Sequence, residues 1–187
     1  MSDLKQRYLS SASALKNLRI LAFCGFMGAL SVILKFVATI NIGPYVRIGV
    51  SEIPNLIVDF YFGPVTGAVF GGAMDIVKYL VKPEGAYFPG FTLTAVLGGL
   101  IFGTLLYKRK LSIPRLFAAE LIVKTFLNVG LNSLWLRILY QKAILALLPS
   151  RILSNGVMLF VDTAIVWVIL YAVDRRLGKT IRSLTKS

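Results

Sequence analysis

The sequence predicts an all-α integral membrane protein, a bundle of about six transmembrane helices of which the second is short. Of the 187 residues, 57% are hydrophobic, and the mean hydropathy is +0.76. Soluble domains average about 45–50% apolar residues, so this composition is typical of a membrane protein. The net charge is +13, and the basic residues flank apolar runs. That placement indicates membrane topology and attraction to lipid headgroups, and it argues against nucleic-acid binding.

Six apolar segments lie between a polar lead, residues 1–17, and a basic tail, residues 175–187. The segments are 18–40, 53–62, 65–81, 92–107, 114–140 and 152–173. The second is too short to span upright and is predicted to be a buried or half-crossing helix. No internal repeat is evident, so we expect one transmembrane domain in which residues 18–174 form the bundle.

The distribution of lysine and arginine predicts the orientation in the membrane. With both termini in the cytoplasm, 13 of the 21 basic residues lie in cytoplasmic segments and 4 in outer loops. Cytoplasmic segments of membrane proteins carry such an excess of positive charge. The loops at 41–51, 82–91 and 141–151 are therefore expected to share the outer face.

The sequence offers little for catalysis or for metal binding. It has no histidine, and its single cysteine, Cys24, lies inside an apolar segment. It contains neither a G-x-x-x-x-G-K-[ST] loop nor a G-x-S-x-G or H-E-x-x-H motif. We expect no catalytic residues, no metal site, no cofactor and no ATP binding of the P-loop kind.

Polar residues recur along the fifth segment with a regular spacing. Glu120, Lys124, Asn128, Asn132 and Trp135 follow one another at intervals of four, four, four and three, which places them on one helix face. Glu120 and Lys124 are spaced to pair with each other. The two asparagines and the tryptophan remain candidates for ligand binding, because amides supply donors and acceptors and indole supplies a flat face.

Other charged residues have less certain partners. A local pair between Asp75 and Lys78 is one interpretation, and a ligand role for Lys78 is the other. Arg47 and Arg137 have no evident local partner, and an arginine suits a carboxylate, which it can bind in a bidentate manner. For Arg137, contact with lipid headgroups is the alternative. Two acidic residues lack an identifiable partner: Asp59 and Asp162.

Aromatic residues gather in the outer half of the predicted bundle: Tyr45, Tyr87, Phe88, Phe91, Trp135 and Tyr140. Together with amides and arginines, they suit a flat, anionic small molecule that forms hydrogen bonds. An aromatic belt at the membrane interface is the alternative explanation.

Two stretches carry a resemblance to a known family: Phe88-Pro89-Gly90-Phe91-Thr92-Leu93 and Asn132-Ser133-Leu134-Trp135-Leu136. Arg47-Ile48-Gly49 and Phe62-Gly63-Pro64, followed by Gly67 and Gly71, add to it. Over roughly residues 18–175 the chain resembles the folate-specific substrate-binding (S) components of energy-coupling factor (ECF) vitamin transporters.

The resemblance implies a six-helix bundle of the ECF S-component type in a prokaryotic plasma membrane, with a first outer loop that caps the substrate. It also implies folate capture outside the cell and delivery with an energising module, consisting of a transmembrane coupling protein and two ATPases. The folate carboxylates are assigned to Arg47 and Arg137, with Lys78 in reserve.

The pterin of folate would stack on Trp135 or Phe88 and pair with Asn128 or Asn132. The loops that hold Tyr45 and Tyr87 would close over the ligand.

The resemblance also implies a docking site for the coupling protein. The family docks through an Ala-xxx-Ala pair on the first helix, which Gly25 and Ala29 match with glycine in the first position. Small residues there let another helix approach closely. Whether Ala22 and Gly28 share that face is left open by the spacing.

The sequence is also compatible with two alternatives. An S component for another vitamin, such as riboflavin or pantothenate, would share the same general features. A stand-alone secondary transporter would use Glu120, Lys124 and Asp162 as a proton relay, although the chain is short and shows no inverted repeat.

Overall fold

The computed structural model describes residues 2–37, 39–42, 46–83, 85–140 and 144–184. The elements in chain order are α1 (Ser2–Ala14), α2 (Leu18–Val37), β1 (Thr39–Ile42), β2 (Val46–Gly49), a 3₁₀ turn (Val50–Glu52), α3 (Ile53–Phe62), α4 (Pro64–Val81), α5 (Pro89–Leu106), α6 (Ile113–Ile122), a π-helical segment (Val123–Leu131), α7 (Asn132–Tyr140) and α8 (Ile144–Ser183). Within the described residues, three helices are long and apolar enough to cross a membrane: Leu18–Val37, Pro89–Leu106 and Ile152–Ser183. The described part of the chain is thus almost entirely helical.

The short helix α3 lies at the centre of the bundle. All but one of its ten residues are buried, and Val58 and Phe62 are completely inaccessible. It contacts α2, α4, α5 and α8. A helix that is apolar on most sides is expected in such a central position.

Glycines bring α4 and α5 unusually close together. A Cβ atom added at Gly99 would lie 2.5 Å from the backbone of Gly67, and one added at Gly71 would lie 2.9 Å from the carbonyl oxygen of Ala95. The small residues that the sequence repeats on both helices therefore face each other inside the bundle. Close backbone approach replaces hydrophobic burial as the source of helix association in lipid.

The N-terminal helix α1 caps α4. The Oγ atom of Ser11 accepts hydrogen bonds from the backbone amides of Val65 (3.0 Å) and Thr66 (3.1 Å), and the Thr66 hydroxyl donates to the Ser11 carbonyl (2.7 Å). These contacts satisfy amides at a helix start that lacks a side-chain cap of its own. They fix α1 at one end of the bundle, here called the termini end.

Helix α8 continues well past the point that hydropathy predicts. We expected it to end near Val173, followed by a basic tail, but it extends to Ser183. Ile181 is buried in the core cluster, and the Asn17 amide donates to the carbonyl of Leu184 (3.1 Å). These contacts at the termini end stabilise a helical extension whose polar composition hides it from a hydropathy criterion.

The opposite end of the bundle, here called the hairpin end, carries a short antiparallel hairpin. β1 pairs with β2 in a register that places Asn41 opposite Arg47. We expected the first helix to run to residue 40 and a loop to follow, whereas α2 ends at Val37 and strand pairing begins at Thr39.

Large apolar side chains cover much of the outside of the bundle. Phe26 on α2, Phe126 on the π-helical segment and Phe160 on α8 are each about two-thirds exposed. Exposed apolar surface on this scale marks contact with a membrane.

Candidate functional site

A cavity of about 440 Å³ lies inside the bundle between α3, α4, α5, the π-helical segment and α8. Its volume falls within the range of roughly 300–1,000 Å³ that is usual for small-molecule sites. Ionisable residues in its lining are Glu52, Asp59, Asp75, Glu120, Lys124 and Asp162. Amides in its lining are Asn55, Asn128 and Asn132. The cavity therefore combines polar and apolar walls, and its charged lining is predominantly acidic.

The polar stripe predicted on the fifth segment faces this cavity. Glu120, Lys124, Asn128 and Asn132 all line it. In a regular α-helix, residues spaced by four drift around the axis by about 40° per step, so the stripe would turn away from one target. The π-helical segment Val123–Leu131 closes its hydrogen bonds one residue farther along and turns less per residue, which opposes that drift. Sequence reasoning missed the π-helix, for which the strict spacing of four is the only signal.

Lys124 forms its ion pair across the cavity wall and not along its own helix. Its Nζ atom lies 2.6 Å from Oδ2 of Asp162 on α8, where we expected a pair with Glu120. The Lys124 side chain is 9% exposed and that of Asp162 is 28% exposed. This pair supplies the partner that the sequence could not identify for Asp162, because the two residues are far apart in the chain.

Asp75 and Lys78 do not pair with each other in the structure. The Asp75 carboxylate accepts a hydrogen bond from the Thr92 hydroxyl (2.7 Å). Lys78 is buried, and its Nζ atom lies 2.8 Å from Oε1 of Glu52 and 3.0 Å from the carbonyl oxygen of Ser51. Lys78 thus ties α4 to the 3₁₀ turn that follows the hairpin, and it lies behind the residues that line the cavity.

An aromatic cluster lies beside the cavity at the hairpin end. The Trp135 indole N–H donates to the hydroxyl of Thr94 (3.0 Å), a buried residue of the cavity lining. The Phe88 ring lies 5.6 Å from the Trp135 ring, and the Phe91 ring lies 6.2 Å from that of Phe88. A Cβ atom added at Gly90 would lie within 2.6 Å of both Phe88 and Trp135. The glycine of the Phe-Pro-Gly-Phe stretch therefore permits the ring cluster that connects α5 with α7.

The remaining predicted ligand residues are less closely associated with the cavity. Tyr87 is exposed, and its hydroxyl lies 3.1 Å from that of Thr92. Arg137 is exposed on α7. Arg47 belongs to β2 at the hairpin end, and its side chain lies outside the described part of the structure, as does the whole of Tyr45.

Asn55 and Asp59 also line the cavity, and no role was predicted for either. The Asn55 amide donates to Oε2 of Glu52 (2.9 Å). Asp59 is 3% exposed, and its Oδ1 atom has no hydrogen-bond partner in the described structure. A carboxylate inside a short apolar helix was the signal for Asp59, since charged groups at membrane depth are functional candidates by default.

The small residues on α2 divide between two faces. Ala22, Gly25 and Ala29 are exposed, and a Cβ atom added at Gly25 would meet nothing within 4 Å. Gly28 points the other way, and a Cβ atom added there would lie 3.0 Å from the sulfur of Met74 on α4. Only the first three thus form an open face that another helix could contact.

An apolar helical bundle that holds a cavity with acidic and amide groups in its lining is typical of a membrane protein that binds a small solute. Residues 19–170 match the family described as ECF transporter, substrate-specific component. The chain therefore belongs to the family of substrate-specific components of ECF transporters. Members of this family are transport components and not enzymes, so the expectation of a non-enzymatic protein is confirmed.

Individual relatives carry more specific names. The folate transporter FolT of Clostridium novyi is 31% identical over 161 residues, which cover 86% of this chain and 93% of that protein. The folate transporter FolT of Leuconostoc mesenteroides is 30% identical over 116 residues, covering 59% of this chain and 63% of that protein. A crystal structure of FolT bound with folic acid superimposes with a TM-score of 0.72 at 27% identity, covering 81% of this chain and 90% of the other. The resemblance identified from the sequence motifs is confirmed.

Proposed function

We propose that this protein captures folate from outside the cell and delivers it inward together with a separate energising module. The observation that carries this proposal is the cavity inside the bundle, in a fold shared at a TM-score of 0.72 with a FolT that is bound to folic acid. The two curated relatives are likewise named folate transporters. The chain would span the plasma membrane of a prokaryote as a single six-helix domain, in which α3 is the short second segment and both termini are cytoplasmic.

The charges around the cavity favour one orientation of folate. The lining holds five carboxylates and one lysine, so a ligand tail with two carboxylates would be repelled from its depth. The pterin, in contrast, is flat and rich in N–H donors, which carboxylates and amides accept. We therefore place the pterin inward, near Asn128 and Asn132, and the glutamate toward the hairpin end. Arg47 and Arg137 remain our assignments for the glutamate, with Lys78 in reserve.

The aromatic cluster would contact the middle of the ligand. Phe88 and Trp135 are already packed against each other beside the lining residue Thr94, so a stacking face is available without large rearrangement. Tyr45 and Tyr87 are proposed to close over the ligand. The hairpin end is accordingly proposed to face outward.

The open face of α2 is proposed to dock on the coupling protein of the energising module. Ala22, Gly25 and Ala29 present a surface without protruding side chains, as close helix contact in lipid requires. Gly28, whose share in this face the spacing left open, contacts α4 instead and is expected to act through the internal packing of α2.

A fluorescence titration of the purified full-length chain in detergent tests the proposal. We expect saturable quenching of tryptophan emission by folate and none by riboflavin or pantothenate, after correction for absorption by each vitamin. Trp167→Phe is the matched control for Trp135→Phe, because Trp167 stacks on Tyr171 (5.3 Å between rings) and is absent from the cavity lining. Quenching should persist in Trp167→Phe and be lost in Trp135→Phe. Saturable binding of a different vitamin alone would overturn folate as the ligand and leave the family assignment standing.

The stand-alone transporter remains a second candidate because Glu120, Lys124 and Asp162 line one cavity. Folate uptake into vesicles that contain only this chain and a proton gradient would favour it. Under the main proposal, such vesicles bind folate but accumulate none until the coupling protein, both ATPases and ATP are supplied.

A further inference from the structure

Asp59 differs from most of the other acidic residues around the cavity. Glu52 contacts Lys78, Asp75 accepts from Thr92, and Asp162 pairs with Lys124. Asp59 lines the same cavity and is 97% buried, yet its Oδ1 atom has no hydrogen-bond partner in the described structure. A buried acceptor without a donor carries a free-energy cost that a bound donor would remove.

The helices around Asp59 provide room for its carboxyl group. A Cβ atom added at Gly67 would lie only 1.9 Å from Oδ1 of Asp59 and 3.3 Å from the carbonyl oxygen of Gly99. The carboxyl group thus occupies a notch that exists because residue 67 has no side chain. The terminal torsion of aspartate is broad and roughly two-fold, so either oxygen can turn toward the cavity.

We propose that Asp59 is the specificity-determining acceptor of the cavity and recognises a nitrogen heterocycle that carries an amino group next to a ring N–H. In a pterin these groups are the 2-amino group and N3–H, which present two parallel donors to one carboxyl group. This is the fork geometry that arginine also presents to carboxylates. The inference rests on the proposed folate function, and it names the residue that recognises the pterin ring.

The proposed contact explains why the cavity would discriminate strongly between ligands. A site built to hydrogen-bond a ligand group rejects an analogue that lacks the group, because the buried polar partner is then left unsatisfied. Asp59 would therefore discriminate against flat rings of similar size that lack the amino group. Its contribution should be independent of the glutamate tail, which lies toward the hairpin end in the proposed orientation.

Equilibrium binding by the full chain in detergent tests this inference with three ligands. They are folate, pteroate (folate without its glutamate) and a folate analogue with a methyl group in place of the 2-amino group. For the wild-type chain, the methyl analogue should bind roughly 10- to 100-fold more weakly than folate, the usual effect of losing a hydrogen bond to a charged group. Asp59→Asn should weaken folate and pteroate by the same factor, and it should weaken the methyl analogue little further.

Asp174→Asn is the matched control. Asp174 lies at the termini end, where it accepts a hydrogen bond from Tyr61 (2.9 Å), and it is absent from the cavity lining. This variant should bind folate with wild-type affinity. Should Asp59→Asn fail to fold, equal affinity of the wild-type chain for folate and the methyl analogue would still overturn the assignment.

The outcomes separate the two proposals. Equal wild-type affinity for folate and the methyl analogue, or full folate affinity in Asp59→Asn, overturns the assignment of Asp59 and leaves the folate function standing. A wild-type chain that binds neither folate nor pteroate overturns the proposed function, and the role of Asp59 with it.

Discussion

Lys124 of the π-helical segment and Asp162 of α8 form an ion pair across the wall of the cavity, with 2.6 Å between Nζ and Oδ2. Both residues line the cavity, and the lysine is almost completely buried. The pair therefore joins two walls of the binding site, and it neutralises the one lysine found among the cavity-lining residues. Its geometry holds the π-helical segment and α8 at a fixed distance beside the cavity.

Removing one partner of this ion pair should lower the stability of the folded protein. Lys124→Met leaves the Asp162 carboxylate uncompensated, and we expect apparent destabilisation of about 3 kcal/mol. The double variant Lys124→Met/Asp162→Leu should be less destabilised than the sum of the two single variants, because no unpaired charge remains. Thermal unfolding in detergent, followed by circular dichroism, measures these differences.

The control for this cycle is Arg182→Ala at the termini end. Arg182 contacts Asp174, and its side chain is 56% exposed, so we expect a loss below about 1 kcal/mol. Strict additivity of the two single substitutions at Lys124 and Asp162 would show that the pair makes no energetic contribution.

The close approach of α4 and α5 predicts a sharp difference between two glycines. Gly99→Ala should destabilise the bundle by about 2 kcal/mol or more, because its Cβ atom would lie 2.5 Å from the backbone of Gly67. Gly156→Ala on α8 is the matched control: a Cβ atom there meets nothing within 4 Å, and alanine favours a helix by about 1 kcal/mol. Unfolding temperatures of the two variants should move in opposite directions. A Gly99→Ala protein as stable as the wild type would contradict the close contact.

Some of this architecture could be predicted from composition and spacing, and some could not. Hydropathy found the apolar segments because lipid requires a helix to be apolar along its length. The spacing of four from Glu120 to Asn132 identified the cavity face of the fifth segment. The extension of α8 was missed because contacts of Ile181 with the core, and not its own hydropathy, stabilise it.

The pairing of charges was the weakest part of the sequence analysis. Local spacing favoured Glu120 with Lys124 and Asp75 with Lys78, since neighbours on a helix are the partners that a sequence displays. The structure pairs Lys124 with Asp162 and Lys78 with Glu52, which tertiary packing brings together from other elements. Spacing also could not separate Gly28 from Gly25, because the face that α4 covers depends on how α2 is rotated in the bundle.

The open face of α2 predicts a variant that separates binding from transport. Gly25→Leu should leave folate affinity unchanged, because position 25 is exposed and a side chain there meets nothing within 4 Å. It should reduce co-purification with the energising module and ATP-dependent uptake by at least about tenfold, since a leucine prevents close helix contact. Ala164→Leu, at a likewise exposed small position on α8, is the control and should retain both properties. Normal assembly of Gly25→Leu would exclude this face as the docking site.

Arg47 offers a test of the ligand's orientation. If its guanidinium binds the glutamate of folate, Arg47→Ala should weaken folate by roughly 10- to 100-fold and pteroate much less. Arg137→Ala, measured in parallel, shows which of the two arginines carries the contact. An equal loss of affinity for folate and pteroate would indicate that Arg47 stabilises the hairpin and does not bind the glutamate.

Substitution of Lys78 should not produce this difference between folate and pteroate. Its Nζ atom is already engaged by the carbonyl of Ser51 and by Glu52, so its main effect should be to hold the 3₁₀ turn and the adjoining hairpin against α4. We expect Lys78→Met to weaken folate and pteroate by the same factor, roughly tenfold, mainly through faster dissociation, because a loosened hairpin opens more often. Glu52→Gln should reproduce part of the effect, since it weakens the same tie from the other side. A loss confined to folate would instead reveal that Lys78 leaves Glu52 and binds the glutamate directly, which is the reserve role that the sequence suggested. The ratio of the folate and pteroate affinities thus decides whether this buried lysine stabilises the hairpin or binds the ligand.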